Sequence, residues 1–345
     1  MPQCNSEALR VRVRRATKSH EPVSFSEGTS ALSVSTDIKS VSGSFPIWPE
    51  YNKDLRYCEE IERKWEKCVV VGDLHFPTMN VRAYQKMVID NSDADALVLL
   101  GDGPDTDRLS YWGAERPSLA LREELLGFRD VLAWTLGYIK EIYWIEGNHE
   151  HRAKMMWDNV VPDDLKMMVK PPSIADFVID PNEYLEEIAI EYVPLKGVEY
   201  LDEFQVIINN VLFVHPSQVR RVPLSVAVER FLAMWGWGYK IDGLLYNHSH
   251  WADGVKVVDG KYQQIRDRSF LLNIKEAKSI LTQIEKLLVT QRNILIIENG
   301  CMCHLQQYSK ENRKMIPRPG VVGYSVLYFD KGKLNIERSR FVNLA

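Results

Sequence analysis

The chain has 345 residues, a formal net charge of −4, and 45% hydrophobic against 26% charged residues, the balance of a soluble globular protein with a sizeable core. It lacks the run of roughly 18 apolar residues that a membrane span needs, and so mild a charge excludes a whole-chain basic field for nucleic acid, though not a local basic groove. Five cysteines, odd in number and scattered, make no disulfide framework, which points to a reducing compartment, the cytoplasm.

Residues 1–45 are rich in Ser and Thr and carry Arg10, Arg12, Arg14 and Arg15 without an apolar signal-peptide segment. Such a stretch buries too little apolar surface to offset its ordering entropy and reads as a disordered or loosely docked basic arm. Residues 46–66 read as a connector, with a helix over Leu55 to Lys67. The core domain, residues 67–345, opens with the apolar run Cys68 to Gly72, a buried strand. A helix over Val81 to Asn91, a strand over Ala96 to Gly101, a long amphipathic helix over Leu119 to Tyr138 and a strand over Glu141 to Gly147 follow. This alternation predicts βαβ units in a mostly parallel sheet, whose ligands bind beyond the carboxyl ends of the strands.

The second half predicts a hairpin, Gln205 to Ile208 and Val211 to His215, turning at Asn209-Asn210. A helix over Leu224 to Trp235, a strand over Asp242 to Asn247 and a second hairpin turning at Asp259-Gly260 come next. An inserted amphipathic helix spans 271–292, and strands over Asn293 to Ile297 and Tyr324 to Phe329 lead into a final hairpin arm.

Five polar clusters interrupt this pattern, four of them at predicted strand ends: Gly72-Asp-Leu-His75, Gly101-Asp-Gly-Pro-Asp105, Gly147-Asn-His-Glu150, Val214-His215 and Asn247-His-Ser-His250. Five of the eight histidines fall in them. Carboxylate with imidazole suits Mn, Fe, Zn, Co or Ni, whereas an all-oxygen set would suit Mg or Ca. Alone, GDxxD and DxH are weak, because Gly-Asp opens many turns and a DxH can be a cap beside a surface histidine, whereas GNHE and HxH are more specific for metal. Their joint occurrence in this order carries the signal.

The set D-x-H, G-D-x-x-D, G-N-H-E, H and H-x-H resembles the calcineurin-like metallophosphoesterase superfamily, over about residues 67–340. Gly147 to Arg152 and Glu298 to Cys301 look like phage-encoded members, for which the compartment would be a host's cytoplasm. The resemblance implies an α/β four-layer α/β/β/α sandwich, two mixed sheets flanked by helices. It also implies two divalent ions, Mn foremost, carrying a bridging hydroxide. By position, Asp73, His75 and His250 would hold one ion, Asn148, His215 and His248 the other, and Asp102 would bridge them. His149 would be the catalytic histidine, oriented by Asp105, with Asn148 meeting substrate; Arg152, just after this cluster, is a further substrate-binding candidate from its place in the chain. Two departures concern loop shape: Asn247 and Pro216 stand where the family has Gly.

Other candidates carry bland readings beside functional ones. His151 and Arg152 could meet phosphate or merely start a helix; Glu150 reads as a support rather than a ligand. Arg108 suits bidentate phosphate contact, while Asp107 has the wrong spacing from Asp102 to replace Asp105. Arg220 and Arg221 read as a solvated turn, and Trp235 to Tyr239 as aromatics seating a helix end rather than stacking a base. His304 beside Cys301 and Cys303 offers only three cramped ligands, and His20 sits in the arm. The readings in play are a small-molecule phosphomonoesterase or phosphodiesterase, a nuclease on DNA or RNA, and a non-catalytic scaffold on the same fold.

Overall fold

The computed structural model describes residues 58–109, 119–166, 171–184, 191–216, 224–265, 282, 285–288, 290, 292–304 and 320–344. The basic arm with His20, residues 46–57, Arg220, Arg221 and most of the 271–292 segment lie outside them; within that segment Glu285 to Leu288 is helical, as expected.

The apolar runs form two mixed sheets. In the first, β2 (Lys67–Val71), β3 (Ala96–Leu100), β4 (Glu141–Ile145) and β5 (Val198–Leu201) run parallel. An antiparallel strand, β12 (Gly323–Asp330), lies on the free edge of β2 and is itself paired by β13 (Lys333–Leu334) and β14 (Arg340–Asn343). The second sheet orders β1 (Glu59–Ile61), β6 (Gln205–Ile208), β7 (Val211–Val214), β8 (Gly243–Tyr246), β11 (Ile294–Asn299), β9 (Ala252–Val258) and β10 (Lys261–Gln264).

Strand alternation sorts side chains into three apolar layers. Cys68, Val70, Val98 and Ile145 of the first sheet face Val206, Phe213, Leu245 and Ile297 of the second. Val69, Val71, Leu97 and Trp144 point the other way, onto α1 (Val81–Asp90), α2 (Leu121–Leu136) and α5 (Ile174–Ile179), through Met87, Phe128 and Val178. On the far side Leu212, Leu244 and Ile296 meet Val228 and Phe231 of α6 (Ser225–Gly236). Both faces of each sheet are therefore covered, which is why the strands read as unbroken apolar runs. Each such fully buried side chain contributes about 1.5–3 kcal/mol. The four layers are those the family resemblance implies.

Both hairpins turn where the sequence places them. Asn209 and Asn210 have φ of 50° and 61°, and Asp259 and Gly260 of 49° and 72°, the paired left-handed values that match strand twist. The connector differs from expectation. Instead of a helix over Leu55 to Lys67, Glu59–Ile61 is a strand paired in parallel with β6. Three tertiary contacts override local helix propensity: Ile61 aligns with Ile208, the Arg63 amide donates to Asn209 Oδ1 (2.7 Å), and Trp65 packs edge-on against Tyr143 in the inter-sheet core.

β2 to β5 run parallel, as do β7, β8 and β11, so the carboxyl ends of each set lie along one rim of its sheet. Glycine is required where these ends meet. Gly101 has φ +67°, and a Cβ there would lie 2.6 Å from Gly147 Cα and 2.8 Å from His215 Nδ1. Gly101→Ala should therefore destabilise the fold by at least about 1–2 kcal/mol, the left-handed penalty alone. Urea unfolding checks this, and an unchanged midpoint would contradict the close approach.

Candidate metal centre

The rim loops hold six non-glycine residues in left-handed backbone: Asp73 (φ 49°), His75 (48°), Asp102 (52°), Thr106 (45°), His248 (97°) and His250 (59°). Each such conformation costs on the order of 1–3 kcal/mol and persists only where its surroundings enforce it. Here the loops are laced together. The His75 and Phe76 amides donate to the Asp102 and Gly103 carbonyls (3.0 and 2.8 Å), and the Asp105 amide returns a bond to Phe76 (2.9 Å). Glu150, buried in the first turn of α3 (Asn148–Val160), accepts from the amides of Asp102, Gly103 and Gly147 and from Trp144 Nε1, at 2.8–3.1 Å. It is thus the support the sequence suggests, fastening two loops to one helix start.

The side chains so placed converge on one carboxylate oxygen. Asp102 Oδ2 lies 3.4 Å from His215 Nε2, 3.7 Å from His149 Nε2, and 3.9 Å from both His75 Nε2 and His248 Nδ1. His215 Nδ1 donates to the Leu100 carbonyl (2.7 Å), so Nε2 is the nitrogen that faces Asn148 Oδ1 (3.0 Å) and His248 Nδ1 (3.2 Å). On the other side His75 Nε2 faces His250 Nε2 (3.1 Å), and Asp73 Oδ2 stands 3.7 Å from His250 Nε2. The Asp73 atom Oδ1 is buried and has no hydrogen-bond partner. Carboxylate oxygens and imidazole nitrogens are thus crowded into two adjoining groups, Asp73–His75–His250 and Asp102–His215–His248, each with ligand atoms within 4.8 Å of one another. Crowded acceptors with an orphaned buried oxygen are the donor set a divalent cation satisfies, and imidazole with carboxylate fits Mn, Fe, Zn or Co.

Electrostatics shows the same need for positive charge. Burial lifts Asp73 to about 7, with Asp102 adding repulsion. Burial opposes the His215 cation, but Asp102 and Asp73 outweigh it and raise that imidazole to about 9. A proton there occupies the lone pair a metal would take. His250 is driven well down by burial, then by His75 and His248, leaving the neutral form that binds metals.

His149 closes the rim beside these groups. Its amide donates to Asp102 Oδ1 (3.0 Å), and its Nδ1 meets the Asp105 carbonyl and, at 3.2 Å, Asp105 Oδ1. Asp105 Oδ1 also lies 3.2 Å from His75 Nδ1, so one carboxylate orients two imidazoles. Asp105 is held well below the usual range: burial opposes this, and its bonds to His149 and His75 prevail. Arg152 reaches back one helical turn, with Nη1 on the Asp105 carbonyl (2.6 Å) and Nη2 3.0 Å from His149 Nε2.

All ten sequence-predicted site residues are brought together. Two other candidates stand apart, Arg108 bonding the Leu119 carbonyl and His151 pairing with Glu146 (3.3 Å), while Asp107 joins the edge of the site by accepting from Arg152 (3.5 Å). Trp235 and Trp237 are exposed, while Tyr239 packs on the core, so the aromatic stretch seats its helix end through one ring of three. Asn247 is a buried brace: its Nδ2 donates to the Gly300 carbonyl (3.0 Å), under Gly72. Sequence reasoning missed Thr106 and Glu124. Glu124 Oε1 accepts from the Thr106 amide (2.6 Å), and Thr106 Oγ1 donates to the His149 carbonyl (2.7 Å). A carboxylate on the apolar face of α2 was the available signal.

A family model described as calcineurin-like phosphoesterase matches residues 67–267, more than half of the chain. No curated protein matches it by sequence. Among solved structures, a Thermotoga maritima protein is 11% identical over 81% of this chain and 99% of its own, with a TM-score of 0.29. A conserved Streptococcus pneumoniae protein described as a predicted phosphoesterase is 11% identical over the same shares, with a TM-score of 0.27. A candidate diadenosine tetraphosphatase is 12% identical over 83% of this chain and 98% of its own, with a TM-score of 0.32. With the matched segment holding every loop that meets at Asp102, the chain belongs to the calcineurin-like phosphoesterase family, whose members hydrolyse phosphate esters with divalent metal ions.

Proposed function

We propose that this chain is a dinuclear metal-dependent phosphoric ester hydrolase. The observation that carries the reading is the single oxygen, Asp102 Oδ2, approached within 4 Å by four imidazoles from four different loops. Asp73, His75 and His250 would hold one ion and Asn148, His215 and His248 the other, with Asp102 shared. Two such ions, manganese foremost, would supply Lewis acidity to the phosphoryl oxygens and lower the pKa of a water between them.

The chain's own groups do the rest. His149 is the candidate proton donor to the leaving oxygen, its ring aligned by Asp105. In the present arrangement Arg152 Nη2 donates to His149 Nε2. The guanidinium would turn to a phosphate oxygen as substrate enters, freeing that nitrogen to take up a proton from solvent and pass it to the leaving oxygen. Asn148, at the N-terminus of α3, offers its amide hydrogens to the same phosphate. A small phosphate ester is the first reading, and a nuclease acting on DNA or RNA is the second, encouraged by the basic run Arg10 to Arg15.

Activity on chromogenic mono- and diesters with Mn, beside labelled DNA and RNA, tests the substrate class; no hydrolysis of any ester would overturn the reading. His149→Ala should lower kcat by about 10²–10⁴-fold while metal content, measured by mass spectrometry, is unchanged. Unaltered turnover would remove His149 from the mechanism. Asp102→Asn should weaken both ions together, and a variant that still holds two would contradict the shared role. Metal uptake must displace the proton on His215, raised to about 9, and that on Asp73, raised to about 7. Manganese affinity should therefore climb as pH rises from 6 towards about 9, and calorimetry showing a flat profile would refute that electrostatic picture.

A further inference from the structure

A second group of ligand-type side chains adjoins the first. Cys301 and Cys303 follow β11, one residue apart, and are wholly buried. Both are free thiols. From sequence their evident partner is His304, which instead is exposed, its amide donating to the Thr78 carbonyl (2.8 Å). The structure supplies a different histidine: ligand atoms of His250, Cys301 and Cys303 all lie within 4.8 Å of one another.

We propose that His250, Cys301 and Cys303 form a binding site for a thiophilic metal ion of the zinc, cadmium or copper(I) class, alongside the Asp73–His75 group. Tetrahedral coordination with metal–sulfur bonds of about 2.3 Å separates two sulfurs by about 3.8 Å, so the three ligand atoms need only small side-chain shifts. The backbone here is already fixed. The Met302 amide donates to the Asp73 carbonyl (3.2 Å), the Cys301 amide to Val321 (2.9 Å), and the Val321 amide to His250 (2.9 Å). The dithiol is thereby stitched to both loops that carry the neighbouring ligands. His250 is common to the two groups, and three protein ligands leave a fourth position open.

The choice of ion follows from ligand chemistry. Binding releases the thiol protons to solvent, and thiolates then favour soft ions, whereas magnesium and manganese prefer oxygen. The site shares His250 with the proposed dinuclear centre but needs no hydrolytic step, so cadmium–sulfur bonding reads out the dithiol separately from activity on any ester.

The test uses the full-length, reduced protein saturated with manganese and then given one equivalent of cadmium. A thiolate-to-cadmium charge-transfer band in the ultraviolet is expected in the wild type and in Cys58→Ala, and is expected to vanish in the Cys301→Ala/Cys303→Ala variant. X-ray absorption of cadmium on the wild type, which needs no variant to fold, should show sulfur neighbours. A cadmium shell of nitrogen and oxygen alone, or the same band in the double variant, would overturn the site.

Discussion

Acceptor crowding at Asp102 governs this molecule. One buried carboxylate oxygen with four imidazoles inside 4 Å calls for positive charge, which a proton on His215 supplies here and which a bound cation would supply in its place. Much of the rim can be understood as what holds that arrangement against its own repulsion. Glycine at 72, 101 and 147 lets three loops approach within distances any Cβ would block. Glu150 ties two of the loops to a helix start through three amides. Six left-handed residues then aim their side chains inward.

Such a rim lowers stability, and the layers beneath it offset that loss. The space between the sheets is filled by aliphatic and aromatic side chains from both, and helices seal each outer face. Rigid strands set the positions of the loop ends, and the loops carry the chemistry, the usual division between scaffold and site. Asp105 shows how closely the parts are coupled: orienting His75 and His149 at once, it links a candidate metal ligand to the candidate proton donor. Arg152, one turn along α3, adds a cation that can serve either the histidine or a phosphate.

Much of this was legible in the chain. Continuous apolar runs bounded by Gly and Asp mark strands covered on both faces, and their ends mark the site. Asn-Asn and Asp-Gly announced their turns because few other residues accept paired left-handed backbone. The short edge strand Glu59–Ile61 was illegible, since its pairing with β6 depends on residues almost 150 positions away. Thr106 and Glu124 were equally hidden, as neither belongs to a ligand pattern and their bond exists only once α2 docks.

The side-chain types of the candidate site, their order and their attachment to strand ends can be read from the chain, because these depend on local pattern alone. Which atoms share a space was settled by packing. It made Asp102 Oδ2 the common point and set Arg152 on His149. It also gave the Cys301–Cys303 pair His250 rather than the adjacent His304. The physical reason is that coordination depends on distances of a few ångströms between loops far apart in the chain. Those distances arise from two sheets packing face to face, which no local spacing encodes.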